Sequence, residues 1–430
     1  MTPISASRYR QRWSWERATF GTHCLNCLAT CPYRVYTRDG EILFEEPAAV
    51  FEQVEDGVPD MNPMSCQKGS AWSIQLDSPD RLLHPMRRKG ERGSGEWEQI
   101  SWDEALEEVA DAVIEAIDLE GPESVVFEET VEGGLLAQAA YLRFAGLLGA
   151  TTLDANGLIN DFPAGHHITF GKFSCASSVD DTFHSELILI WHSNPSYTSI
   201  PYAHFITEAR YNGSQVVCIA PDYSPSALMA ESFVPIRPAT DAALALSMCQ
   251  VIIEEGLYHT DFVRSQTDLT LLVHRESRRF VRGPELLEGE REDQFYWWDN
   301  ATGAVEIAPR GSLMLDESDP ALEGTFTATA VDGSTIEVTT VFELLREQLA
   351  EYTPEKAGPI CGINPEVIRN LARDAARKRT KIIEGFNTPK YYHGDLMERA
   401  MCLFLALTGN WGRPGTGIQG LALAGLAGYM

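Results

Sequence analysis

Four of the nine cysteines in this 430-residue chain fall within its first 66 positions, as Cys24-x2-Cys27-x3-Cys31 followed at a distance by Cys66. Three thiolates on one loop, closed by a fourth from elsewhere, tie the local chain around a metal centre. Four soft sulfur ligands suit a [4Fe–4S] cube, and four cysteines also suit a tetrahedral zinc. Zinc ribbons use two separate C-x2-C pairs, so the three-plus-one split here favours iron. His23 stands four residues before Cys27, as Cys27 stands four before Cys31. The first ligand is therefore either His23 or Cys24, and an imidazole in place of an anionic thiolate would raise the reduction potential. The other five, Cys175, Cys218, Cys249, Cys361 and Cys402, are scattered in largely apolar surroundings. They read as buried hydrophobes, and the clustered set in so large a chain reads as a metal site, not a disulfide framework.

Behind the cysteine loop the pattern becomes that of an α/β protein. Residues 33–45 (YRVYTRDGEILFE) alternate on either side of Asp39-Gly40, a strong hairpin turn. A Gly- and charge-rich linker at 87–98 leads to a helix opened by Ser101 and Glu104, a capping box. Strands are then expected at 124–127, 187–191 (LILIW), 215–220 (QVVCIA) and 381–384, alternating with helices near 134–148, 202–211, 241–255 and after Asn364-Pro365. Short, largely apolar strands alternating with helices predict a doubly wound parallel sheet. Residues 293–341 break the alternation with a β-rich insertion carrying an Asp332-Gly333 turn.

The net charge of −28 repels nucleic acid and anionic membranes. Only seven lysines are present. An acidic, lysine-poor surface fits a high-salt cytoplasm, and equally an ordinary acidic composition that keeps a protein soluble. No run of eighteen apolar residues and no N-terminal apolar segment occurs. A cytoplasmic location is expected, or export if an upstream twin-arginine signal has been lost.

The run Tyr9-Arg10-Gln11-Arg12-Trp13, then Thr22-His23-x2-Asn26-Cys27-x3-Cys31, resembles the catalytic subunits of membrane-bound respiratory nitrate reductases. More broadly the chain is similar to the second class of the dimethyl sulfoxide reductase family of molybdopterin oxidoreductases. The resemblance continues through Cys66-Gln67-Lys68-Gly69, Arg81-Leu82-x2-Pro85-Met86, Gly95-x-Trp97 and Ile100-Ser101-Trp102-Asp103-Glu104-Ala105. It resumes at Ser193-Asn194-Pro195, Ala203-His204-Phe205, Pro221-Asp222-Tyr223 and Thr240-Asp241-Ala242-Ala243, and ends near Gly409-Asn410.

That resemblance implies a molybdenum ion held by two molybdopterin guanine dinucleotides and one [4Fe–4S] cluster in the N-terminal domain. It favours His23 over Cys24 as the first ligand, although Cys24 fits the generic family spacing. It makes Asp161, in Asp161-Phe162-Pro163, the protein ligand to molybdenum, a hard oxygen donor suited to the oxidised metal. Read without the resemblance, Asp161 caps a turn before Pro163. Neither Cys nor selenocysteine stands there, which disfavours formate as substrate. His166 and His167 either line a substrate funnel or are plain loop residues. Asn194 and Asp222, each following a buried strand, and Asp241 are implied dinucleotide contacts, and Asn387, after the strand 381–384, joins them. The family more often has Gly where Ala239 stands. Lys68 is implied to lie between cluster and pterin; otherwise it is a solvated surface lysine.

The resemblance assigns residues 1–98 to a [4Fe–4S] domain, 99–160 with 380–430 to an incomplete first α/β domain, and 161–379 to a second dinucleotide-binding domain. Family members are about twice as long. The chain is thus expected to be the N-terminal portion of a catalytic subunit, needing a C-terminal half or second polypeptide and an iron–sulfur electron-transfer subunit. Nitrate-like oxyanion reduction is the first expected activity, with dehydrogenation or hydroxylation of a small molecule beside it. The competing readings are a molybdenum-free iron–sulfur electron carrier or scaffold, and a zinc-stabilised binding module.

Overall fold

The computed structural model describes residues 13–22, 31–48, 55–59, 65–128, 135–153, 163–172, 177–310, 315, 317–385 and 388–420. The chain divides into two units, residues 1–26, 30–51 and 62–162 in the first, and 27–29, 52–61 and 163–430 in the second.

The first unit opens with a three-stranded antiparallel meander, β1 (Arg17–Thr22), β2 (Pro32–Arg38) and β3 (Glu41–Pro47). The β2–β3 turn places Asp39 and Gly40 at φ 50° and 83°, the paired positive angles a two-residue turn needs to follow strand twist. A two-stranded ribbon, β4 (Met86–Arg88) with β5 (Trp97–Gln99), precedes helix α1 (Trp102–Glu120). Ser101 caps α1: its hydroxyl accepts from the Glu104 amide while the Glu104 carboxylate accepts from the Ser101 amide. Strands β6 (Val126–Glu128) and β7 (Thr151–Leu153) pair in parallel across helix α2 (Leu135–Leu148).

The second unit holds a five-stranded parallel sheet in the order β10-β9-β8-β16-β17. Its strands are β8 (Leu187–Trp191), β9 (Gln215–Ala220), β10 (Ser232–Pro235), β16 (Thr380–Glu384) and β17 (Gly417–Gln419). All five residues of β8 are buried, because both faces are covered. Leu187, Leu189 and Trp191 face a core built with α5 (Asp241–Glu254), α6 (Pro365–Arg377) and α7 (Gly394–Leu407). Ile188 and Ile190 face a second core with α4 (Ala203–Tyr211). Burial on two faces explains why these strands are continuous apolar runs. Between β10 and β16 lie the expected β-rich segments: β11 (Leu272–His274), β14 (Thr325–Thr329) and β15 (Thr335–Thr340) form one sheet, and β12 (Tyr296–Asp299) pairs with β13 (Ala304–Ile307).

The sequence expectation groups residues 380–430 with 99–160, whereas β16 and β17 join the sheet of 187–235 and α7 packs on it. The physical reason is the pairing of β16 with β8 in full register, Thr380 to Leu187 through Glu384 to Trp191. Such long-range pairing leaves no mark in local pattern.

Candidate functional site

The order of the five-stranded sheet reverses between β8 and β16: the chain runs outward from β8 through β9 to β10, then returns on the other side with β16 and β17. In open parallel sheets the crevice at such a reversal, outside the carboxyl ends of the strands, is where ligands bind. Three of the residues singled out from sequence stand on this edge. Asn194 follows β8 and starts a short helical turn, its carbonyl accepting from the amides of Tyr197 and Thr198 and its Oδ1 from Ser226 Oγ at 2.6 Å. Asp222 follows β9 and is exposed. Asp241, after β10, begins α5 and is almost wholly buried. Its Oδ1 accepts from the Trp191 indole at 2.8 Å. Two residues before it, Ala239 sits at φ 64°. That left-handed backbone is comfortable only for glycine.

This donor set fits a guanine nucleotide. Carboxylates are acceptors only, and guanine amino and ring N–H groups and ribose hydroxyls are donors. Asp222 is open to solvent for such a contact, and Asp241 retains acceptor capacity beyond the bond to Trp191.

A buried cluster that sequence reasoning missed lies at the same edge. His166, on helix α3 (Ala164–Phe170), Glu384, the last residue of β16, and Glu398, on α7, bring one ligand atom each to within 4.8 Å of one another. His166 Nε2 is 3.1 Å from Glu384 Oε2. The Gly165 amide donates to Glu398 Oε2 at 2.7 Å. A Cβ on Gly165 would collide with the Asp395 carbonyl and with Glu398 Cβ, so α3 approaches α7 this closely only because residue 165 is glycine. Burial first, and then the neighbouring Glu384 carboxylate, push the Glu398 carboxyl up to about 8. The signal in the sequence was a glutamate ending an apolar strand (TKIIE) and another inside an apolar helix (LMERAMCLFLAL). His166 is buried and His167 exposed.

Lys381, in β16, is fully buried, and its ammonium bonds the Asp181 carboxylate at 2.5 Å and Ser177 Oγ at 2.8 Å. Burial pulls the ammonium below its ordinary value, against the opposing pull of Asp181. Burial pushes the Asp181 carboxyl up, but Lys381, the Gly415 amide and Ser177 outweigh it and hold the group below the usual carboxylate range.

In the first unit, Cys31 is buried and Cys66 half-buried, and both act on Tyr33. The Tyr33 oxygen accepts from the Cys66 amide and from Ser65; burial, then the Cys31 thiol, push the phenol up to about 12. Both cysteines thus lie near the Tyr33 hydroxyl. Lys68 is exposed, in the turn between Cys66 and Gly69. His23, Cys24, Cys27, Asp161 and Asn387 lie outside the described residues.

The Molybdopterin oxidoreductase family profile matches residues 81–429. The chain is 40% identical, over 95% of its length and 45% of the relative's, to the dimethylsulfide dehydrogenase alpha subunit of Rhodovulum sulfidophilum. It is 38% identical to the perchlorate reductase alpha subunit of Dechloromonas aromatica, over 96% of this chain and 47% of that one. It is 32% identical to the respiratory nitrate reductase alpha subunit of Haloferax mediterranei, over 96% and 43%. The chain therefore spans about half the length of the curated relatives it matches. Among solved structures, acetylene hydratase from Pelobacter acetylenicus has the same fold over 93% of this chain and 44% of its own, with a TM-score of 0.60 at 22% identity.

Proposed function

Because the chain belongs to the molybdopterin oxidoreductase family, we propose that it forms the cluster-bearing portion of a molybdenum-dependent catalytic subunit acting on a small oxyanion or a small reduced molecule. The observation that carries this reading is the convergence of Asn194, Asp222 and Asp241 on one edge of a parallel sheet where its strand order reverses. When bound, a molybdenum bis(molybdopterin guanine dinucleotide) supplies two-electron oxygen-atom transfer. The chain's own residues position it. Asp222 would accept from ribose hydroxyls, Asp241 from guanine N–H groups, and Asn194 and Asn387 would bond the dinucleotide. Asp161 is the proposed carboxylate ligand to the metal, two residues before Pro163, which caps α3.

Cys27, Cys31 and Cys66, with His23 or Cys24, hold a [4Fe–4S] cluster that exchanges electrons with a separate iron–sulfur subunit, and Lys68 stands two residues from Cys66. Relatives named as nitrate and perchlorate reductases support oxyanion reduction, and one named as dimethylsulfide dehydrogenase supports the opposite direction at the same kind of site. A partner polypeptide is supported by the apolar surface of the first unit. Helix α1 exposes Leu106, Val109, Ile114 and Leu119, and buries none of its residues. Exposed apolar surface of that extent marks an interaction face.

The test is elemental analysis of the anaerobically prepared chain, alone and joined to or co-produced with sequence that completes the length of its relatives. About four irons per chain in both, with molybdenum in the longer assembly, is the expected result. Iron without molybdenum in both would replace this reading with a molybdenum-free electron carrier, and zinc in place of iron would overturn it.

A further inference from the structure

The His166, Glu384 and Glu398 cluster is used by none of the proposed cofactor contacts, and its composition is unusual for a protein interior. Two carboxylates and an imidazole are each almost wholly buried. The groups facing Glu398 are Glu384, His166 and Asp395, with the Gly165 amide donating to it. An ionised carboxylate is kept in an interior only when paired or bound to a cation. Glu384 adds an independent observation: its side chain is 2% exposed, and its Oε1 has no hydrogen-bond partner among the described residues. The other oxygen of the same carboxylate faces His166. Buried carboxylate oxygens without a donor are rare in folded proteins.

From this geometry we infer that His166 Nε2, the Glu384 carboxylate and a Glu398 oxygen bind one divalent metal ion of the zinc class. With Glu384 chelating through both oxygens, the chain offers four ligand atoms, the number a closed zinc site uses. Calcium takes six to eight oxygens and magnesium keeps several waters, and neither is served by so few atoms in a buried place. Imidazole nitrogen beside carboxylate oxygen selects zinc and its first-row neighbours. Zinc–ligand bonds are about 2.0–2.2 Å, so atoms already within 4.8 Å of one another close on a common ion by small side-chain shifts. A neutral imidazole, two carboxylates and a dication sum to zero charge, which removes the cost of burying the set. Gly165 orients the site by donating to Glu398 Oε2, the outer-shell bond that a ligating carboxylate ordinarily has. The ion joins α3, the end of β16 and α7, and so fixes the floor of the crevice between β8 and β16.

The experiment uses the 430-residue chain, stripped of metal and dialysed against Zn2+ or Co2+ alone. Wild type, Glu384→Gln and Glu398→Gln are compared by metal per chain and by the cobalt absorption spectrum. The cysteine set also takes these ions, but thiolate ligation gives an intense near-ultraviolet charge-transfer band, and nitrogen and oxygen ligands give only visible bands. Wild type is expected to hold one equivalent more than either variant, with the lost cobalt free of the thiolate band. Zinc is expected to raise the melting temperature of wild type and not of the variants. Equal metal content in all three chains would overturn the inference. So would an infrared band of a protonated carboxyl in wild type that survives zinc addition and disappears in Glu398→Gln, since a proton would then fill the place of the ion. If a variant fails to fold, wild type alone decides: cobalt bound only with the thiolate signature overturns the site.

Discussion

The indole nitrogen of Trp191, the last residue of β8, donates to Asp241 Oδ1, the first residue of α5, at 2.8 Å, and both residues are buried. One bond thus ties the sheet edge to the carboxylate proposed to meet guanine. Replacing Trp191 with Phe keeps an aromatic wall and leaves that oxygen without its donor. The expected cost is about 1–3 kcal/mol, read from urea unfolding. Asp241→Asn, which keeps the acceptor oxygen, is expected to fold and to weaken binding of GDP used as a probe. Unchanged GDP binding in Asp241→Asn would remove Asp241 from the nucleotide site.

The backbone just before Asp241 carries strain that a single atom explains. Ala239 at φ 64° places a Cβ where an L-residue pays about 1–2 kcal/mol. Glycine relieves this and costs part of it back through greater freedom in the unfolded chain, about 0.5–1 kcal/mol. Ala239→Gly is therefore expected to be neutral to stabilising by about 1 kcal/mol. Every ordinary loop position would respond to the same change with a loss, so thermal unfolding distinguishes the two.

Fully buried Lys381 pairs with half-buried Asp181, and this pair makes stability depend on acid pH. The Asp181 carboxyl lies below its ordinary 3.8 in the fold. The stability it contributes is thus complete above about that pH and is lost as pH falls through the lower, folded value. Lys381→Met strands the carboxylate and is expected to cost about 3–5 kcal/mol at neutral pH. Lys381→Met combined with Asp181→Asn should recover much of the loss and flatten the acid limb of stability against pH. A single Lys381→Met chain as stable as wild type would show that the pair contributes nothing.

What the sequence made legible followed from local rules. The runs LILIW and QVVCIA are strands because both faces of the sheet are covered; Asp39-Gly40 turns because both residues reach positive φ; Ser101 and Glu104 cap α1 reciprocally. Asn194 and Asp222 were legible as residues following buried strands, and Asp241 as the start of a helix. What was hidden depends on contacts across the chain. Lys381 in TKIIE has no visible counter-charge until Asp181, 200 positions away, is placed beside it. Glu398 meets Gly165 across 233 positions, and no spacing rule links them. The partner of β16 is fixed by burial in the completed sheet, so residues 380–419 could not be assigned to their unit from local pattern.

Gly69 links the packing of the first unit to its proposed cluster. A Cβ on this residue would fall on the Tyr33 hydroxyl, and that same hydroxyl accepts from the Cys66 amide. Gly69→Ala must therefore push Tyr33 aside and, with it, shift the amide of a proposed cluster ligand. Overpacking of this kind costs about 1–3 kcal/mol. The expected outcome is a lower melting temperature together with fewer irons per chain after anaerobic reconstitution. Tyr33→Ala in the Gly69→Ala background opens the space, and should restore iron while leaving the chain less stable than wild type. If Gly69→Ala melts lower but keeps its full iron, Tyr33 packs the turn without positioning Cys66, and the tie between this contact and the cluster is refuted.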